Sequence, residues 1–63
     1  SYPELMIYNE DFTRKNMAHC YYVIGLGNLG LGNMEKAREA FEKTLSLDRS
    51  HNNCRLLLNG MDR

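Results

Sequence analysis

Apolar residues recur at intervals of three and four along most of this chain of 63 residues, the spacing of a helix with one buried face. A first helix is predicted from Phe12 onward, with a stripe formed by Met17, Cys20, Tyr21, Val23, Ile24, Asn28 and Leu31. A second is predicted over residues 34–47, with a stripe formed by Met34, Ala37, Phe41, Thr44 and Leu45. A third follows Ser50 and carries Cys54, Leu57, Leu58 and Met61. The pattern therefore predicts an all-α fold.

Short polar residues and glycine mark the ends of these helices. The expected N-terminal caps, whose side chains would accept hydrogen bonds from first-turn amides, are Asn9 or Asp11, Asn33 and Ser50. Gly32 suits the left-handed conformation that ends many helices. The turns are short, which favours antiparallel neighbours. Residues 1–11, with the apolar run "ELMIY", are predicted to form a short non-helical segment before a helical module over residues 12–63.

Residues 21–33, "YYVIGLGNLGLGN", contain the G-x-G-x-x-G spacing of a dinucleotide-binding loop at Gly25, Gly27 and Gly30. That loop needs a strand before it and an unbroken helix after it, within a fold longer than this chain. Here the helical stripe passes through the glycines, and Gly32 interrupts the helix soon after them. We therefore prefer a helix in which Gly25 lets the second helix approach. A fragment of a dinucleotide-binding fold stays as an alternative.

An internal repeat supports the helical interpretation. A shift of 34 residues places three apolar pairs in register, namely Cys20 on Cys54, Val23 on Leu57 and Ile24 on Leu58. Residues 18–51 resemble the tetratricopeptide repeat in the residues Tyr21, Ile24, Gly25, Leu31, Gly32, Ala37, Phe41, Leu45, Leu47 and Asp48. The chain departs from that family at Asn28 and Met34, where an aromatic is usual, at Thr44, where a small residue is usual, and at Arg49, where proline is usual.

The resemblance implies an antiparallel helical hairpin over residues 18–51 and a capping helix over residues 51–62. It also implies a protein-binding groove along the first helix, lined by His19, Tyr22, Leu26 and Leu29. The best-known subgroup of the family grips a peptide carboxylate with lysine and asparagine, but Tyr22 and Leu26 stand there in this chain. An apolar peptide or a second copy is therefore the expected ligand, unless residues 1–11 or neighbouring repeats cover the face.

The function that this implies is protein–protein interaction or scaffolding, as the C-terminal part of a larger protein. The alternative is a structural cap for a catalytic domain elsewhere in the same protein. Self-association is also expected, because Tyr22, Leu26 and Leu29 lie at helical spacing with no stripe left in the chain to cover them. A two-fold homodimer is the simplest way to close such a patch, with the first helices or the N-terminal segments facing each other.

Composition and charge exclude several other functions. Eight basic and eight acidic residues cancel, so no basic face is expected to bind nucleic acid. No apolar run approaches the roughly 20 residues of a membrane span. Two cysteines are too few for a disulfide scaffold, so buried free thiols and a cytoplasmic location are expected.

No catalytic or metal-binding set stands out. The chain has no serine, histidine and acid arrangement and no paired carboxylates on an apolar face, so no enzymatic activity is expected. The residues that come nearest to a zinc set are His19, Cys20, His51 and Cys54. They lack the regular paired spacing of closed zinc sites, so neither a metal nor a cofactor is predicted.

Overall fold

A computed structural model describes residues 10–62, which form three α-helices. Helix α1 spans Glu10–Gly30, α2 spans Met34–Leu47 and α3 spans Asn52–Met61. The predicted all-α class is confirmed, and no strand occurs in residues 10–62. Asn9 as a cap and most of the predicted N-terminal segment lie outside the described residues. Asp11 lies in the first turn of α1 and not before it, so it is not the cap of this helix.

The three helices form two successive antiparallel pairs. Near its start, α1 contacts the end of α2, where the Arg14 guanidinium donates to the Ser46 carbonyl at 3.5 Å. Nearer its end, α1 meets the middle of α2, where Gly25 packs against Phe41. Helices α1 and α2 therefore run antiparallel to each other.

The second pair, α2 and α3, is also antiparallel. The Cys54 thiol, near the start of α3, donates to the Phe41 carbonyl at 3.1 Å. At the other end of α3, Asp62 forms an ion pair with Arg38 near the start of α2. Helix α2 thus lies between α1 and α3 and contributes the centre of the core.

The core is small and is formed mainly by α2. Its buried apolar residues are Ala18, Ala37, Ala40, Phe41, Cys54 and Leu58. Partly buried side chains from all three helices pack around them, namely Tyr22, Leu29, Leu45, Leu57 and Met61. Thr44 is the buried polar residue, and its hydroxyl lies 3.2 Å from the Ala18 carbonyl and 3.0 Å from the Ala40 carbonyl. The stripe predicted for α2 and the stripe predicted for α3 therefore both face the core in large part.

The stripe predicted for α1 faces the core much less than expected. Its larger apolar members, Met17, Val23, Ile24 and Leu31, are each 45% exposed or more. The inner face of α1 is instead built on the small residues Ala18 and Gly25, both buried, with the half-buried Tyr22 and Leu29 beside them. The larger residues were predicted to face the core because apolar periodicity identifies a helix. It does not show which side of the helix packs against a neighbouring helix. Cys20, predicted to be buried, is exposed for the same reason.

Gly25 is the point of closest approach between α1 and α2. A Cβ atom at this position would lie 2.6 Å from Cδ1 of Phe41, closer than real carbon atoms come. The prediction that Gly25 lets the second helix approach is therefore confirmed. Around Gly27 and Gly30 no such atom lies within 4 Å, so these two glycines sit exposed on α1.

The turn between α1 and α2 has the hydrogen bonds of a Schellman motif. The amide of Asn33 donates to the Asn28 carbonyl at 2.8 Å, and that of Gly32 donates to the Leu29 carbonyl at 3.1 Å. Gly32 has a φ of 83°, as its predicted role at the end of a helix requires. Asn33 stands at the N-cap position of α2, but its side-chain amide donates to the Asn28 side chain at 3.2 Å and makes no capping bond.

The turn between α2 and α3 is held by Asp48 and His51. The Asp48 carboxylate accepts hydrogen bonds from the amide and the hydroxyl of Ser50, at 3.2 and 2.8 Å, and the bond from that hydroxyl lowers the pKa of Asp48. Nδ1 of His51 accepts from the amide of Cys54 at 3.2 Å. The prediction that Ser50 caps α3 is therefore wrong. Its hydroxyl is bound to Asp48, and the cap is the next residue, His51.

Candidate protein-binding surface

A shallow groove of about 360 Å³ lies between α1 and α3. Helix α1 supplies Tyr22 and Leu26, which are one helical turn apart, and α3 supplies Asn53, Leu56 and Leu57 from its first turns. Leu26 is 40% exposed and Leu56 is 67% exposed, so both aliphatic side chains are open to a ligand. Asn53 is the polar member of this lining. The groove is therefore apolar, with one amide side chain for a hydrogen bond.

Tyr22 is held in the groove by two other rings. Its ring centroid lies 6.0 Å from that of Phe41 in the core and 4.4 Å from that of His51, the cap of α3. Tilted aromatic contacts at such distances are favourable and fix the ring orientation. The start of α3 therefore covers part of the face that includes Tyr22. Little of the chain was expected to cover this face, and the ring of His51 covers part of it at Tyr22.

The structure brings two of the four predicted site residues together in the groove. These are Tyr22 and Leu26. Leu29 is half-buried and packs against the core, while His19 is exposed on α1, three residues before Tyr22. The α3 side of the groove was not predicted. Its signal lies in the run of three leucines at residues 56–58, where a helix with one buried face leaves Leu56 outside.

We expect His51→Ala to lower the free energy of unfolding by about 1–2 kcal/mol, because it removes both the cap of α3 and the ring contact with Tyr22. Urea denaturation followed by circular dichroism measures the change. Ser50→Ala is the matched control, since it loses only an exposed hydrogen bond, and its expected effect is about 0.5 kcal/mol or less. A larger loss in Ser50→Ala than in His51→Ala would contradict the assignment of the cap.

The cysteines and histidines do not form a metal site in the part of the chain that is described. Cys20 is exposed on α1, whereas Cys54 is buried and bonded to a backbone carbonyl. Burial raises the pKa of the Cys54 thiol, which disfavours the thiolate that a metal would need. Within residues 10–62, no three side chains of the histidine, cysteine, aspartate or glutamate type are grouped closely enough to hold a metal ion.

The three glycines of the G-x-G-x-x-G spacing lie inside α1 or at its last residue. A phosphate cradle needs free backbone amides at the start of a helix, after a strand. Here the glycines stand at the opposite end of a helix. The geometry of residues 10–62 therefore offers no such cradle at Gly25, Gly27 and Gly30.

The described helices are too short or too polar to cross a lipid bilayer. In residues 10–62 the fold is a set of three helices with an apolar groove between the first and the third. Comparisons of the chain with protein-family models, with curated proteins and with solved structures found no match.

Proposed function

We propose that this chain is a protein-interaction module that binds a short apolar peptide segment in the groove between α1 and α3. The observation that carries the proposal is the pair of exposed leucines, Leu26 and Leu56, in one apolar groove with Tyr22. Contacts with the rings of Phe41 and His51 orient the Tyr22 ring. A side chain that is oriented before binding loses less entropy when a ligand binds, which favours affinity.

Features of the fold support a tetratricopeptide-like arrangement over residues 18–51, with α3 as the capping helix. The contact between Gly25 and Phe41 and the left-handed Gly32 fall at positions that the resemblance implies for the hairpin and its turn. The antiparallel order of the helices agrees with the same arrangement. The groove also lies along the first helix, as the resemblance to the tetratricopeptide repeat implies. A scaffolding role in the cytoplasm, within a larger protein, is part of this proposal.

The groove indicates the chemistry of its ligand. Its volume of about 360 Å³ is near the lower end of the roughly 300–1,000 Å³ of small-ligand sites, so it accommodates a few side chains and not a large surface. Its lining has no charged side chain, which matches an apolar segment. Anchors one helical turn apart on the ligand would face Leu26 and Leu56, and the Asn53 amide would bind a polar group between them.

The experiment starts with a displayed peptide library selected against the whole chain. The selected peptide is then titrated by fluorescence anisotropy into the unaltered chain and into single variants. We expect Leu26→Glu and Leu56→Glu each to weaken binding about tenfold or more, because each places a charge in an apolar contact. Both side chains are exposed, so circular dichroism should show an unchanged helix content.

Leu31→Glu is the matched control for this experiment. Leu31 is 78% exposed in the turn after α1 and lies outside the groove lining, so the same substitution should change the dissociation constant less than about twofold. A selection that yields no binder, or equal weakening by Leu31→Glu and Leu26→Glu, would rule out the groove as a binding site.

A further inference from the structure

A second exposed apolar surface runs along α1, away from the groove. Met17, Ile24 and Leu31 repeat at intervals of seven residues and are 45%, 50% and 78% exposed. Leu31 follows the last residue of α1 but keeps the helical register, since its amide donates to the Gly27 carbonyl at 3.1 Å. At 1.5 Å per residue these three side chains, the heptad stripe, extend over about 21 Å.

Small residues separate the large side chains of the heptad stripe. Cys20 and Gly27 are also seven residues apart, and each lies between two of the large residues along the chain. Cys20 is exposed, and the space above Gly27 is open. Two helices pair along a seam when each carries a large apolar residue every seven positions and a second residue between each two of these. Small residues in the seam let the two backbones come close. The heptad stripe is therefore shaped for another helix.

The surroundings of the heptad stripe are concave and carry both signs of charge. Two shallow grooves of about 470 and 360 Å³ meet at Tyr21 and Ile24. The second groove extends onto α2, where its border is formed by Lys36, Glu39 and Lys43. A border with acidic and basic groups can pair with its own copy across a two-fold axis, and the net charge of zero adds no repulsion between the copies.

We propose that the heptad stripe is a self-association surface on which α1 of a second copy packs in antiparallel orientation. Ile24 is the middle of the three large residues. A two-fold axis near it brings Ile24 against the same residue of the second copy and Met17 against Leu31. This inference does not rest on the proposed function, because the groove between α1 and α3 stays free in such a dimer.

The size of the face agrees with a weak, reversible dimer. With Met17 against Leu31, the two α1 helices overlap over residues 17–31, a length of about 21 Å, and with the adjoining edge of α2 the face is roughly 20 Å wide. That corresponds to roughly 400 Å² per copy, or about 800 Å² in total, the size of a weak and transient interface. A domain of this length rarely gains enough stability from a single core, so the added burial also supports the fold.

Sedimentation equilibrium of the full chain over a wide concentration range tests the proposal. We expect reversible dimerisation of the 7.3 kDa chain at concentrations of roughly 0.1–1 mM. Ile24→Glu should raise the dissociation constant by about tenfold or more. The matched control is Leu26→Glu, since Leu26 is 40% exposed and points about 160° away from Ile24 around the helix. That control should dimerise like the unaltered chain.

A cysteine variant tests the antiparallel register. In a Cys20→Ser background, Ile24→Cys should form an intermolecular disulfide under mild oxidation, and Leu26→Cys, on the other side of α1, should not. The native Cys54 does not compete, because it is buried. A monomer at every concentration would overturn the proposal. A dimer lost through Leu26→Glu but not through Ile24→Glu would also overturn it, and would place self-association in the groove.

Discussion

Replacing Phe41 by alanine is expected to lower the free energy of unfolding by about 3–5 kcal/mol and to leave much of the chain unfolded. Among residues 10–62, Phe41 is the largest fully buried side chain, and its ring lies against Gly25 and near Tyr22 on α1. The same residue accepts the hydrogen bond from Cys54 on α3 through its carbonyl. A chain of this length has a total stability of roughly 3–9 kcal/mol, so the expected loss is a large part of it.

Urea denaturation followed by circular dichroism measures this loss. Leu56→Ala is a suitable control, because it also truncates a large apolar side chain, but one that is 67% exposed. Its effect should stay within about 0.5 kcal/mol. Similar losses in the two variants would mean that Phe41 does not occupy the centre of the core.

Substitution of Gly25 is the second change with a large expected effect. Gly25→Ala should lower the free energy of unfolding by about 1–3 kcal/mol, and Gly25→Leu by more, because the added Cβ would overlap the ring of Phe41. The ring is fully buried, so a shift of the ring would disturb the packing of the core. This loss is expected although alanine favours a helix over glycine by about 1 kcal/mol.

Gly27→Ala is the matched control on the same helix. The space above Gly27 is open, so the helix preference of alanine acts alone and stability should rise by up to about 1 kcal/mol. The two substitutions should therefore have opposite signs. A phosphate-loop interpretation predicts a different result, namely loss of dinucleotide binding in both variants, which calorimetric titration of a dinucleotide would detect. Equal stabilisation by both alanines would contradict the close approach of α2 at Gly25.

A double-mutant cycle isolates the contact itself. If the added methyl of Gly25→Ala overlaps the ring, then Phe41→Leu should remove much of that penalty. The loss in the double variant would then be smaller than the sum of the two single losses, by about 0.5–3 kcal/mol, as for residues in direct contact. Additive losses would show that the two positions do not touch.

The helices were predictable because their periodicity is strong. Helix α2 has the predicted bounds, and α1 continues through three glycines because its stripe does. The cap of α3 was not predictable in the same way. Ser50 and His51 are both polar neighbours before that helix, and the hydrogen bond from Ser50 to Asp48 decides between them. Such a choice depends on turn geometry, which composition does not specify.

The surfaces were predicted less completely than the helices. Tyr22 and Leu26 were expected in a groove, but Asn53 and Leu56 were not, since their positions depend on how α3 is rotated against α1. The heptad stripe was likewise assigned to the interior. Helix α1 instead packs on Gly25 and Ala18, because a close helix crossing needs small residues and leaves the large ones outside.

The proposed function is tested most directly by nuclear magnetic resonance of the nitrogen-15-labelled chain during titration with the selected peptide. We expect the largest amide shift changes to cluster at the groove, around Tyr22, Leu26 and Leu56, while the amides of Met17 and Ile24 change little. Changes concentrated on the heptad stripe, or spread evenly over exposed residues of all three helices, would contradict binding in the groove between α1 and α3.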